Sequence, residues 1–222
     1  MILMLSSGNS GSDLFYSTIN PEDGPFVIDF YYHSHIEYRW GGEGLRKTFV
    51  RWAGSVTNKI AGNEEHVVTV AEHLSTNYCY IFEVKNAGRV PPVKELRKLL
   101  RIQALHCNVI YCRNGTRINV IPVLASRSQA LRYLYVRWGT DLSKIVVFVG
   151  DSGDTDYEGL LGGVHKSIIL KGICCNTSNQ LLANRNYPLS DVMPVEYSPN
   201  ILQTSQDCTS TVREFLENLL KS

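Results

Sequence analysis

The chain has 222 residues, of which 44% are hydrophobic, and a formal net charge of +1 at pH 7. That length suits one large domain or two small ones with a real core, and no apolar run is long enough to span a bilayer. A charge so near neutrality sets up no general field for nucleic acid or an anionic membrane, so neither is expected as a partner and recognition must come from local sites.

The opening MILMLSSGNSGS carries an apolar run of five residues without a basic flank, which does not read as a secretory signal. The six cysteines, Cys79, Cys107, Cys112, Cys174, Cys175 and Cys208, form no C-x-x-C pair and no zinc-ligand spacing, so a reducing, cytoplasmic setting is expected. The N-x-S/T sequons at Asn114 and Asn176 then count as chance matches.

Residues 26–32, FVIDFYY, are rich in β-formers and predict a strand, after turn chemistry in NSGSDLFYSTINPEDGP. His33 and His35 continue the alternation and would share one face, but no third metal ligand is near, so packing or surface polarity is their expected role. From Gly44 the period changes: Leu45, Phe49, Trp52 and Val56 recur at helical steps, with Arg46, Lys47 and Arg51 between them. The mixture of Arg39, Trp40, Arg46, Lys47, Arg51 and Trp52 could stack a sugar or grip a phosphate, but a helix with one basic and one apolar face is the plainer account.

Residues 57–76 are polar without sustained period and predict an exposed loop before the strand YCYIFEV at 78–84. Pro91 and Pro92 open a helix whose Val93, Leu96, Leu100 and Ala104 line one face. Its Lys94, Arg97, Lys98 and Arg101 lack interleaved aromatics and read as a solvated face rather than a nucleic-acid surface. CNVIYCRNGTRINVIPV follows, two β-rich runs about the turn-forming Asn114-Gly115 pair, a hairpin.

Ser126 and Gln129 make an S-x-x-Q capping box for a helix with Ala130, Leu131, Leu134, Tyr135 and Trp138 on one face and Gly139 at its end. A strand at 145–149, a helix near 156–162 and a strand at 167–170 then form a βαβ unit, hence a parallel sheet. The Asn-, Ser-, Pro- and Thr-rich segment from 172 to about 208 predicts loop, and STVREFLENLL closes the chain as an amphipathic helix on Val212, Phe215, Leu216 and Leu219.

Within the βαβ unit, GDSGDTDYEG gathers carboxylates beyond the carboxyl end of a strand, where ligands of parallel sheets lie. Small residues let a hard cation or a phosphate approach, and carboxylate oxygens suit Mg2+, which makes Asp151 the best single candidate. Asp154, Asp156 and Glu158 have a plainer role as negative charge at the first turn of the following helix.

VVFVGDSGDTDYEGLLGGVHKSIILKG resembles the fourth motif of the haloacid-dehalogenase-like phosphatases, in their sugar-phosphatase branch. Together with NSGSDL, DFYYHSHIEYRWGGEGLRKTFVRW, PPVKELRKLLRIQALHCNVIYC and NVIPVLASRSQALRYLYVRWG, it is similar to the C-terminal region of plant sucrose-phosphate synthases, from about Asn9 onward. The resemblance implies an α/β fold, an incomplete haloacid-dehalogenase-like Rossmannoid core of residues 1–35 and 122–222 with an α+β cap inserted at 36–121. It also implies a place in sucrose biosynthesis. Enzymes of that family transfer glucose from UDP-glucose to fructose 6-phosphate in a glycosyltransferase part, for which 222 residues leave no room.

Phosphatases of the resembled group attack with the first aspartate of a D-x-D-x-T motif. The sequence contains no such run and opens at a point the family reaches after it, so no catalytic residue is assigned. The family's phosphate-binding lysine aligns with Arg127, which keeps the charge and can grip phosphate bidentately. In the fourth motif Asp151 matches the first acid, Asp154 falls on an asparagine and Thr155 stands at the second acid. Asp151 and Asp154 are thus the candidate metal residues, the remains of a Mg2+ site of weakened affinity, and no other cofactor is implied.

The expected function is a non-catalytic, binding or regulatory fragment of a sucrose-phosphate synthase. Its expected partners are a sugar phosphate (sucrose phosphate or fructose 6-phosphate), the parent's glycosyltransferase domain and sucrose-phosphate phosphatase. The alternatives are an active Mg2+-dependent sucrose-phosphate phosphatase and a stand-alone protein-interaction module. A core without its first strand would bare an apolar edge and is expected to be poorly soluble alone.

Overall fold

The computed structural model describes residues 5–18, 22, 24–58, 67–113, 115–150, 154–170 and 200–203, with positions 210, 212, 213 and 217 near the end. Strands β1 (Leu5–Gly8), β2 (Asp13–Ser17) and β3 (Phe26–Ile28) form an antiparallel sheet in that order. Between β1 and β2, Asn9, Ser10 and Gly11 turn the chain with φ of 47°, 60° and 94°. At Gly11 a side chain has no room: an added Cβ would sit 2.5 Å from the Ser126 carbonyl carbon.

The expected strand at 26–32 ends at Ile28. The Asp29 carboxylate accepts a hydrogen bond from the Tyr32 N–H at 3.1 Å and caps helix α1 (Phe30–Ile36). Tyr32 and Ile36, four residues apart, are both fully buried, and this helical pairing overrides the β preference of the aromatic run. His33 and His35 therefore do not alternate on a strand: His33 bonds to Asp13 at 3.0 Å, whereas His35 packs against the rings of Tyr32 and Tyr133.

Helix α2 (Gly42–Asn58) forms as its period predicts, with Leu45, Phe49 and Ala53 buried. Inside the expected loop lies a strand, β4 (Val68–Val70), paired antiparallel with β5 (Tyr80–Val84); three residues are too short to display a period. Helix α3 (Val93–Ile102), β6 (Cys107–Cys112) and β7 (Arg117–Pro122) follow, giving a four-stranded antiparallel sheet β4-β5-β7-β6. The β6–β7 turn takes positive φ at Arg113 and Gly115, while Asn114 lies outside the described residues.

Both faces of this sheet are apolar because its side chains alternate across it. Tyr80, Phe82 and Val84 of β5 meet Phe49 of α2 and Leu96 of α3 in one cluster. Cys79 and Ile81 point the other way, into a cluster with Tyr32 and Ile36 of α1 and with α4 (Arg127–Trp138). Each large side chain fully buried here contributes about 1.5–3 kcal/mol.

The Ser126 hydroxyl accepts from the Gln129 N–H at 3.2 Å to start α4, and Gly139 at φ 63° ends it, as the capping box predicts. Its inner stripe differs from the expected one: Ala130, Tyr133 and Leu134 are buried, while Tyr135 is exposed. Contact between the Tyr133 and Tyr32 rings, centroids 5.0 Å apart, turns α4 onto that stripe.

Strands β8 (Val146–Gly150) and β9 (Lys166–Leu170) pair in parallel around helix α5 (Tyr157–Leu161), as expected of the βαβ unit. A third parallel strand, β10 (Ile201–Gln203), joins β9 from within the expected loop; its three residues give no sequence signal either. The closing helix expected on Val212, Phe215, Leu216 and Leu219 lies largely outside the described residues. Among them, no helix is long and apolar enough to cross a membrane.

Candidate functional site

The capped start of α4 and the turn leading from β8 into α5 bring Arg127 against the aspartates. Its guanidinium bonds to Asp154 at 2.8 Å, is also ion-paired with Asp156, and lies 5.3 Å from the centre of the Tyr157 ring. All three charged side chains are largely withdrawn from water, Arg127 at 22% exposure, Asp154 at 7% and Asp156 at 5%. Burial opposes the charge on Arg127, but the two carboxylates outweigh it and raise its pKa. For Asp156 the balance goes the other way: burial raises its pKa despite the guanidinium beside it. One Asp156 oxygen, Oδ2, is buried without a hydrogen-bond partner.

Asp156 occupies the N-cap position of α5 yet makes no side-chain cap bond there, so its charge serves Arg127 rather than the helix start expected of it. The Asp154 Oδ1 accepts from the Arg113 N–H at 3.2 Å. With one oxygen on a backbone N–H and the other on a guanidinium, Asp154 faces a cation already in place, a setting that disfavours a second one. Asp151 lies outside the described residues. No group of three or more His, Cys, Asp or Glu side chains among the described residues is arranged to hold a metal ion.

Thr155, the residue expected at the position of the second acid, is bound to the sheet. Its N–H donates to the Tyr111 carbonyl at 3.1 Å, and its hydroxyl oxygen accepts from the Tyr111 N–H at 2.9 Å. Strand β6 is the outer strand of its sheet, so these bonds satisfy backbone groups that would otherwise lie on a bare edge. Arg97 of α3 completes the staple, donating to the Val109 carbonyl at 3.0 and 3.2 Å and to the Thr155 carbonyl at 3.2 Å. Thr155→Val removes the acceptor offered to Tyr111 and is expected to cost about 1–3 kcal/mol. Hydrogen exchange at the Tyr111 and Arg113 amides checks this; protection equal to the parent's would contradict the staple.

Along the outer side of β6 runs a groove of about 710 Å3. Arg97, Arg101 and His106 line one wall, and Ser128, Gln129 and Asp156 line the other, whereas Arg127 does not line it. Sequence reasoning placed Arg97 on a solvated face, because its spacing matches that of its exposed neighbours Lys94, Lys98 and Arg101. Only the tertiary fold reveals its carbonyl partners.

Against known proteins, residues 27–205 match the family model of sucrose-6F-phosphate phosphohydrolase. The chain belongs to this family. It is 74% identical over 212 residues to probable sucrose-phosphate synthase 1 of Citrus unshiu and 67% identical over 211 to sucrose-phosphate synthase 1 of Arabidopsis thaliana. Each match covers 95% of this chain and 20% of the relative, so the chain spans about a fifth of their length and corresponds to their C-terminal, phosphatase-like region. The X-ray structure of the sucrose-phosphatase from Synechocystis sp. PCC6803 in complex with sucrose and phosphate shares the fold, at a TM-score of 0.57 and 12% identity over 94% of this chain and 71% of that one. The expected family and the haloacid-dehalogenase-like α/β fold are thereby borne out.

Proposed function

We propose that this sucrose-6F-phosphate phosphohydrolase family domain binds a sugar phosphate without cleaving it, as a binding or regulatory part of a sucrose-phosphate synthase. The observation that best supports the absence of cleavage is the double ion pair on Arg127, while binding is assigned to the groove beside it. The cation aligned with the family's phosphate-binding lysine is already neutralised by Asp154 and Asp156, and a phosphoryl group would reach it only by displacing a buried carboxylate. Asp151 is the residue left to hold Mg2+, which would polarise a phosphoryl oxygen when bound.

In this reading residues 1–35 and 122–222 form the core, 36–121 form the cap, and the ligand sits between them. The groove fits such a ligand, since Arg101 offers positive charge and His106 an imidazole from the cap side, and Ser128 and Gln129 offer polar groups from the core side. The ligand is sucrose phosphate or fructose 6-phosphate, and the glycosyltransferase domain of the synthase and sucrose-phosphate phosphatase are the protein partners.

Incubating the chain with sucrose phosphate and Mg2+ is expected to release no phosphate. Calorimetry is expected to show saturable binding that Arg101→Ala weakens about tenfold, the loss of one charge-assisted contact. Phosphate release abolished by Asp151→Asn would replace this reading with an active phosphatase. Neither binding nor release would leave a protein-interaction module.

A further inference from the structure

Helices α1 and α4 each bury one face against the four-stranded sheet, yet both also carry large apolar side chains on the face turned away from it. On α1, Phe30 and Tyr31 are 70% and 72% exposed; on the last turn of α4, Tyr135, Val136 and Trp138 are 57%, 73% and 38% exposed. The two groups adjoin, because the Arg137 guanidinium lies 5.3 Å from the centre of the Tyr31 ring, and Trp138 meets Tyr16 of β2 edge-on at 5.9 Å. Large exposed aromatic and aliphatic side chains gathered on two helices that meet in this way mark an interaction surface. Aromatic rings with arginines at their margin also have the composition of an interface centre.

The place of the patch in the chain narrows down its occupant. Leu5 of β1 pairs with Tyr16, so the polypeptide enters the described fold beside Tyr16 and Trp138. In the synthase relatives the matched region is C-terminal and makes up a fifth of the length, so the other four fifths connects at this end. Arg132 and Arg137 border the patch, and neither is ion-paired to a carboxylate among the described residues.

We propose that the α1–α4 surface is the docking face for the remainder of a sucrose-phosphate synthase polypeptide, which meets it with an apolar surface bearing carboxylates opposite Arg132 and Arg137. This rests on the reading that the domain works inside a synthase.

The test uses a full-length synthase in which this chain replaces the matched region of the Citrus unshiu relative. Photo-crosslinking p-benzoylphenylalanine is placed at Tyr31 or Val136, and at Ile102 of α3, 71% exposed, as the control. Crosslinks from positions 31 and 136 into the other four fifths of the same polypeptide, and none from 102, are the expected result. An active chimera that gives no such crosslinks, gives them equally from 102, or links only to a second copy would overturn the docking face alone. A chimera that makes no sucrose phosphate would overturn the synthase reading and the proposal with it.

Discussion

Arg127→Met is expected to lower stability by about 3–5 kcal/mol, because it leaves Asp154 and Asp156 buried without their counter-charge. Methionine keeps most of the length and packing of the side chain, so the loss reports charge rather than volume. The sign with pH follows from Asp156, whose folded pKa is raised above its ordinary value of 3.8. Between that value and the raised one the folded state binds more protons, so stability from this group is full below the window and is lost as pH rises through the folded pKa. Without the guanidinium the folded pKa climbs further, and the variant should recover stability on acidification over a wider range than the parent. Urea melts of both proteins across a pH series check this. Adding Asp154→Asn and Asp156→Asn to Arg127→Met should restore most of the loss; restoration of none would show that the three side chains do not act as a unit.

Gly11→Ala should cost a comparable amount, roughly 2–6 kcal/mol when backbone strain at positive φ and overpacking are added. At φ 94° the new Cβ would lie 2.5 Å from the Ser126 carbonyl carbon and 2.6 Å from the Arg127 nitrogen, neither of which is the flexible end of a side chain. The first turn of α4 must shift, and with it the cap bond from Ser126 and the hold on Arg127. A fall in melting midpoint of about 10 °C is expected. Gly24→Ala is the control, at φ 78° with no atom within 4 Å of the added Cβ, and should cost only the conformational part, about 1–2 kcal/mol. Equal melting of the two variants would show that the close approach at Gly11 contributes nothing.

The elements legible in the sequence were those whose signals are local and redundant. Helices α2 and α3 announce themselves by repeated apolar spacing, α4 by Ser126 and Gly139 at its ends, and the βαβ unit by two apolar runs around a small-residue turn. Helix α1 was obscured because FVIDFYY places β-favouring side chains on both sides of its cap; Asp29, accepting from Tyr32, was the available signal. Strands β4 and β10 exist through their neighbours, which three residues cannot encode.

In the site, the family pattern pointed to Arg127 and to the acidic turn, but charge alone could not say whether the guanidinium waits for a ligand or is already held. That depends on Asp156, which looked like helix-start decoration and lies 29 positions further along the chain. Arg97 was unreadable for the same reason, since its acceptors are the main-chain carbonyls of Val109 and Thr155, and main-chain acceptors leave no trace in residue identity.

The bonds that Thr155 and Arg97 make to β6 also limit how the groove can behave. Swinging α3 and β6 away from the turn between β8 and α5 would break the bonds of Thr155 to both Tyr111 and Arg97 at once, so the fold opposes widening on that side. The sugar phosphate proposed above would then lose little affinity to rearranging the groove, and a solute of the wrong shape would gain little from forcing it open.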